Sequence, residues 1–138
     1  MDDLLLLPIS RLLLLSRRPQ IPIRHIGCGI MFRANPALGS FYDFLIGQDG
    51  SYALYRYDSD GSPAKTLSKL SSSAIHTGLN QVNVIAVVAS GGTLHLFVNH
   101  QVIASVTDTT YGSGAIGLSC RSSTSVGASG VELGWEGL

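Results

Sequence analysis

Charge is what this chain has least of. Nine Lys and Arg stand against nine Asp and Glu in 138 residues, leaving a formal net charge of zero. The basic footprint that phosphate contacts require is missing, so nucleic acid is excluded as an expected partner. Cysteine is scarce too. Cys28 and Cys120 are too few for a disulfide scaffold and have no metal-ligand spacing. Their default reading is two small buried hydrophobes. A bridge requires their strands to lie side by side or face each other, with Cα atoms within roughly 7 Å. A long apolar run is also lacking. Leu4–Leu7 and Leu12–Leu15 are split by Pro8-Ile9-Ser10-Arg11, too short and too broken for a membrane span. Asp2-Asp3 comes first and Arg17-Arg18 last, the reverse of a secretory signal.

What is present is one domain's worth of chain. Residues 1–24 form an atypical Leu/Arg/Pro-rich leader, and residues 25–138 read as a β-sandwich domain. Three readings of the leader stay open: a degenerate anchor or signal, a strand or short helix closing the sandwich with Leu12–Leu15 buried, or a replacement of the domain's first strands. The neutral surface, rich in Ser, Thr, Gly and Tyr, suits uncharged polar ligands or another protein face.

From residue 25 onward short alternating runs are punctuated by turns, with no credible helix. Gly27–Arg33 places Cys28, Ile30 and Phe32 on one face. Phe41–Ile46 and Ser51–Tyr57 flank a turn at Gln48-Asp49-Gly50. A two-residue Asp49-Gly50 loop would set Leu45 opposite Leu54 and Asp43 opposite Arg56, whereas a three-residue loop closed by a left-handed Gly sets Phe44 opposite Leu54, Ile46 opposite Tyr52 and Tyr42 opposite Arg56, and the second is preferred. That register gathers Phe44, Ile46, Tyr52 and Leu54 on one face, as a core needs, and leaves Phe41, Asp43, Leu45, Ala53, Tyr55 and Tyr57 on the other. Asp58-Ser59-Asp60-Gly61 is a turn that lacks the further oxygen ligands calcium needs. Pro63–Leu70 is an edge strand blunted by Lys65 and Lys69. Gln81–Ala89 is apolar on both faces. Thr93–Val98 alternates, with Leu94, Leu96 and Val98 inward and Thr93, His95 and Phe97 outward. Asn99-His100 reads as a tight turn with positive φ. Ala115–Cys120 and Val131–Trp135 complete about eight or nine strands, which is an all-β, antiparallel two-sheet sandwich. Phe32, Phe44, Leu54, Val84, Leu96, Leu118 and Trp135 are its expected core.

The order Gly29-Ile30-Met31-Phe32-Arg33, Phe41–Ile46, Asp49–Arg56, Leu94–Asn99 and Gly112–Leu118 resembles the concanavalin A-like (laminin G-like) jelly-roll domains of bacterial extracellular and envelope proteins, near the keto-disaccharide hydrolase-like group. The resemblance covers roughly residues 26–138. It departs from the group in the leucine leader, which stands where first strands are usual, and in Asn99-His100, where Asn-Gly is usual. It implies a jelly roll with a concave face, a role in binding glycans or proteins or as a spacer, and a place outside the cell or in its envelope. Fold alone does not choose among these roles.

Glycan-cutting enzymes of this fold carry a Glu-x-Asp-x-Glu strand, and Glu132–Glu136 is its nearest counterpart. Its central Asp is missing, and the two Cα atoms would stand about 13 Å apart at ~3.3 Å per residue, against carboxyls about 5–5.5 Å apart in retaining enzymes. His25, His76, His95 and His100 show no ligand spacing, and no Ser lies in a nucleophile elbow. No catalytic residue, metal or cofactor is therefore expected. The candidate ligand surface is a face bearing Asp43, Tyr55, Tyr57, His95 and Phe97, with Arg33 at a neighbouring strand end. Aromatic rings stack on the apolar faces of sugars, and planar charged groups hold their hydroxyls. The leading expectation is a non-catalytic carbohydrate-binding module. A structural domain that associates with itself or with a protein surface is the rival, and a glycoside-hydrolase-like enzyme comes third.

Overall fold

The computed structural model describes residues 4–6, 9–14, 27–78, 81–121 and 131–136, with side chains described over 27–78 and 81–119. Eleven strands follow in chain order: β1 (Leu4–Leu6), β2 (Ile9–Leu14), β3 (Gly27–Asn35), β4 (Ser40–Gly47), β5 (Ser51–Tyr57), β6 (Lys65–Ser71), β7 (Val82–Ser90), β8 (Thr93–Val98), β9 (Gln101–Thr107), β10 (Ala115–Arg121) and β11 (Val131–Glu136). Every pairing is antiparallel. One sheet runs β11-β2-β7-β8-β9, with β1 also on β7, and the other runs β10-β3-β4-β5-β6. No helix occurs among the described residues.

Turn chemistry sets the registers. Gly50 adopts φ +87°, its amide donates to the Gly47 carbonyl at 3.2 Å, and the Asp49 carboxylate accepts the Ser51 amide at 3.0 Å. This three-residue loop places Phe44 opposite Leu54, Ile46 opposite Tyr52 and Tyr42 opposite Arg56, the register expected from the sequence. Asn99 and His100 take φ +51° and +67°, both left-handed, between β8 and β9. The two leucine-rich N-terminal strands, β1 and β2, pair with β7, Leu5 opposite Ala89 and Arg11 opposite Val84.

The core lies between the sheets. Ile30, Phe32, Tyr42, Phe44, Ile46, Tyr52 and Leu54 from one sheet meet Ile85, Val87, Ala89, Leu94, Leu96 and Val98 from the other, closed at one end by Ile75. Two expected core residues fall elsewhere. Val84 is half-buried because the phase of β7 turns Asn83, Ile85, Val87 and Ala89 inward. A strand apolar on both faces does not reveal that phase. Leu118 is 38% exposed because β10 ends its sheet, where the core thins. The side chain of Trp135 lies outside the described residues. Cys28 is fully buried and disulfide-bonded, and the chain's other cysteine, Cys120, is its register partner on β10. That side-by-side arrangement is what a bridge needs.

Asn83 is the polar residue on the core side of β7, and its side-chain hydrogen bonds go to loops. Its Oδ1 accepts from the His76 amide at 2.8 Å and from Asn99 Nδ2 at 2.9 Å, and its Nδ2 donates to the His76 carbonyl at 3.0 Å. Buried amides carry little cost when so satisfied. This one clamps the segment after β6 against the β8–β9 turn.

Candidate functional site

Strand alternation builds the site. On β4 the core takes Tyr42, Phe44 and Ile46, so Phe41, Asp43 and Leu45 face outward, and on β5 Ala53, Tyr55 and Tyr57 do the same. The hairpin register aligns Phe41 with Tyr57, Asp43 with Tyr55 and Leu45 with Ala53. The Phe41 and Tyr57 rings stack at 4.4 Å between centroids with planes 16° apart, both half-buried. Flanking strands add Met31 opposite Asp43, Thr66 opposite Tyr55 and Lys69 opposite Ala53. The result is an outer face of the five-stranded sheet with a stacked ring pair and a third ring beside it, flanked by Thr66 and Lys69 on β6.

Asp43 lies beneath this face, fully buried, and accepts a hydrogen bond from Ser119 Oγ on Oδ2 at 3.0 Å. It supports the floor of the face rather than lining its surface. Leu45 and Ala53 are also buried, so the accessible part of the face consists of the half-buried aromatic residues and the exposed Thr66 and Lys69 on the neighbouring β6.

Of the six residues expected to share one surface, the structure brings together Asp43, Tyr55 and Tyr57. The remaining three stand apart. His95 and Phe97 alternate with the core-facing Leu94, Leu96 and Val98 on β8, so they occupy the outer face of the opposite sheet. There His95 Nδ1 meets Ser105 Oγ at 2.8 Å. Alternation places a residue on the outside of its own sheet, but it does not say which sheet. Arg33 is 3% exposed and takes φ +47° where the β3–β4 register breaks between Phe32 and Asn35. The bulge turns its side chain inward, and Nη1 donates to the carbonyls of Gly91 and Tyr111, each at 2.9 Å. It ties β3 to the β7–β8 turn and the loop before β10.

Sequence reading missed a polar cluster at one rim of the sandwich. Tyr42 OH donates to Asp108 Oδ1 at 2.5 Å, Arg56 Nη1 bonds Asp108 Oδ2 at 2.5 Å, and Arg56 Nε bonds Asp58 Oδ1 at 2.9 Å. Tyr111 OH donates to Asp58 at 2.5 Å, and Lys65 reaches Asp58 at 3.1 Å. Burial pushes the Asp108 carboxyl up, but hydrogen bonds from Tyr42, Thr110 and Arg56 outweigh it and hold it down at about 2. Asp58 is held well below the usual carboxylate range by the Arg56 guanidinium and then by Tyr111. Burial first, and the neighbouring carboxylate second, push Tyr42 and Tyr111 up to about 12. Asp60 is lowered by its hydrogen bonds from Ser62. Asp58 is thus engaged by cations of the chain itself, and no group of three or more potential metal ligands forms among the described residues. The residues of this cluster come from β4, β5, the β5–β6 loop, β6 and the loop before β10, so no local spacing announces it.

No family model matches the sequence, and no curated protein matches it. Solved structures do. The carbohydrate binding module CBM66 from Bacillus subtilis matches 85% of the chain at a TM-score of 0.65 and 14% identity. The chain spans 65% of that protein's length. Sheep galectin-11, solved in complex with glycerol, matches 85% of the chain and 96% of its own at a TM-score of 0.57 and 16% identity. At such identities the likeness is one of fold, and it agrees with the all-β sandwich read from the sequence.

Proposed function

We propose that the protein is a non-catalytic carbohydrate-binding module that takes a sugar on the outer face of the five-stranded sheet. The observation that carries this reading is the stacked Phe41–Tyr57 pair, half-buried beside Tyr55 on the outer face of the sheet. The outer ring faces of such a stacked pair offer the apolar face of a pyranose ring a flat partner, and tyrosine hydroxyls reach its polar edge. The absence of net charge suits a neutral glycan. A fold shared with a carbohydrate binding module and a galectin supports the same class of ligand. Tyr55 and Tyr57 make contact, and Asp43 and Ser119 hold the floor beneath them. Catalysis is not part of this proposal: the carboxylates of this face and of the rim cluster are engaged in internal hydrogen bonds, and the side chains of Glu132 and Glu136 lie outside the described residues. The oxidised state of Cys28 supports a place outside the cell or in its envelope.

A glycan array followed by titration of the best ligand tests this. Tyr57→Ala and Tyr55→Ala should each weaken binding about tenfold, the equivalent of ~1.4 kcal/mol, with circular dichroism unchanged. Phe97→Ala, on the opposite sheet, should leave affinity intact. The proposal fails if no glycan binds, or if Phe97→Ala abolishes binding while Tyr57→Ala does not.

A further inference from the structure

Strand β9 ends the six-stranded sheet, and among the described strands its one partner is β8. β6 ends the other sheet, and the two edges lie near each other on one side of the sandwich. They are guarded very differently. β6 carries Lys65 and Lys69, the charges that protect an edge from pairing with another chain. β9 reads Gln101-Val102-Ile103-Ala104-Ser105-Val106-Thr107, without a charge or a proline, and Val102 is 57% exposed. Its bulge falls at Ile103, between the pairs Phe97–Val102 and Leu96–Ala104. Beyond the bulge, Ala104, Ser105, Val106 and Thr107 run in unbroken register with Leu96, His95, Leu94 and Thr93.

We propose that β9 is a homodimer edge, at which a second copy of this chain adds its own β9 antiparallel and extends the six-stranded sheet across a twofold axis at Ser105. An isologous contact needs a surface that complements itself, and an antiparallel strand pair about a twofold does so by construction. Alternation requires the axis to pass through a residue rather than between two, and Ser105 is the residue of the unbroken stretch that brings the two inward-facing ones, Ala104 and Val106, opposite each other. Ala104 and Val106 pair with the core-facing Leu96 and Leu94, while Ser105 pairs with outward-facing His95. With Ser105 on the axis, Ala104 of one copy stands opposite Val106 of the other, inner face to inner face. Shifting the axis by half a residue step would set an inner residue against an outer one. A strongly charged partner would find no counter-charge on this strand, whereas a copy of net charge zero meets no long-range repulsion. The sugar face belongs to the other sheet, so this contact leaves it open, and it stands independently of the carbohydrate reading.

The test uses the full chain. Sedimentation equilibrium should show a monomer–dimer exchange, and Ser105→Lys, which sets like charges directly opposite on the axis, should weaken it about fivefold. Ser105→Cys should form a disulfide-linked dimer on mild oxidation, while Lys69→Cys on the guarded edge should not. Hydrogen exchange of the β9 amides should slow as protein concentration rises. A monomer up to millimolar concentration would overturn the proposal. So would a dimer indifferent to Ser105→Lys, or a linked dimer through Lys69→Cys but not through Ser105→Cys.

Discussion

Replacing Tyr42 by Phe removes one oxygen from the centre of the rim cluster and leaves the ring in place. The ring is fully buried, stacked on Phe32 at 5.2 Å and edge-on to Tyr111 at 5.4 Å, so no cavity opens beyond the hydroxyl itself. What is lost is a hydrogen bond to ionised Asp108 at 2.5 Å and the acceptor for the Tyr111 amide at 3.2 Å. A hydrogen bond to a charged group contributes roughly 1.5–3 kcal/mol, so about 2 kcal/mol of stability should go at neutral pH. In a domain of this size that lowers Tm by roughly 6–10 °C. The pH dependence sharpens the test. Asp108 has its folded carboxyl depressed from 3.8 to about 2, so its contribution is present above the unfolded value and is lost as pH falls toward 2. For a side chain 10% exposed in a shared network, that contribution is about 1–2 kcal/mol after discounting for solvent. Without the Tyr42 hydroxyl the depression shrinks. The stability curves of parent and Tyr42→Phe, measured by urea unfolding from pH 7 to pH 2, should therefore converge at the acid end. A loss below about 0.5 kcal/mol at neutral pH would place Tyr42 OH outside the network's energetics, as typical surface substitutions are. A loss that stays constant down to pH 2 would refute the coupling to Asp108.

At alkaline pH the two raised tyrosines act in the opposite sense. Protonated Tyr42 and Tyr111 favour the folded state below pH 10, and that contribution should fade between pH 10 and about 12, read by absorbance at the phenolate band alongside circular dichroism. His100→Gly should stabilise the protein by about 1 kcal/mol, because His100 holds φ +67° in an exposed turn; a destabilised variant would mean the imidazole makes a contact of its own. Replacing Cys28 and Cys120 together by Ser should lower stability by about 2–4 kcal/mol, measured in denaturant against the oxidised parent. Gly29→Ala should not fold in the parent register, since an added Cβ would sit 1.6 Å from the Phe44 carbonyl oxygen; unchanged Tm would contradict the β3–β4 pairing.

Sequence alone determined the class of the fold and much of its local geometry. Period-two alternation and turn chemistry act over a few residues, so the turn at Gln48-Asp49-Gly50 together with the shared face of Phe44, Ile46, Tyr52 and Leu54 specified the β4–β5 register, and Asn99-His100 specified a left-handed turn. The same local logic placed Tyr55, Tyr57 and Asp43 together, because they face each other across one hairpin. Tertiary structure decided everything that depends on which sheet a strand joins. It sent His95 and Phe97 to the far side of the sandwich, although their alternation is the same as that of Tyr55 and Tyr57. The inward turn of Arg33 follows from a bulge set by the strands on either side of β3, and the phase of β7 from which of two apolar faces meets the core. It assembled the Tyr42, Arg56, Asp58, Asp108 and Tyr111 cluster from segments up to 69 residues apart, and it set Cys28 beside Cys120. Strand alternation is a property of one backbone and can be read along the chain. Sheet order and sheet-to-sheet packing are long-range choices made by the whole hydrophobic core at once, and no short window of sequence carries them.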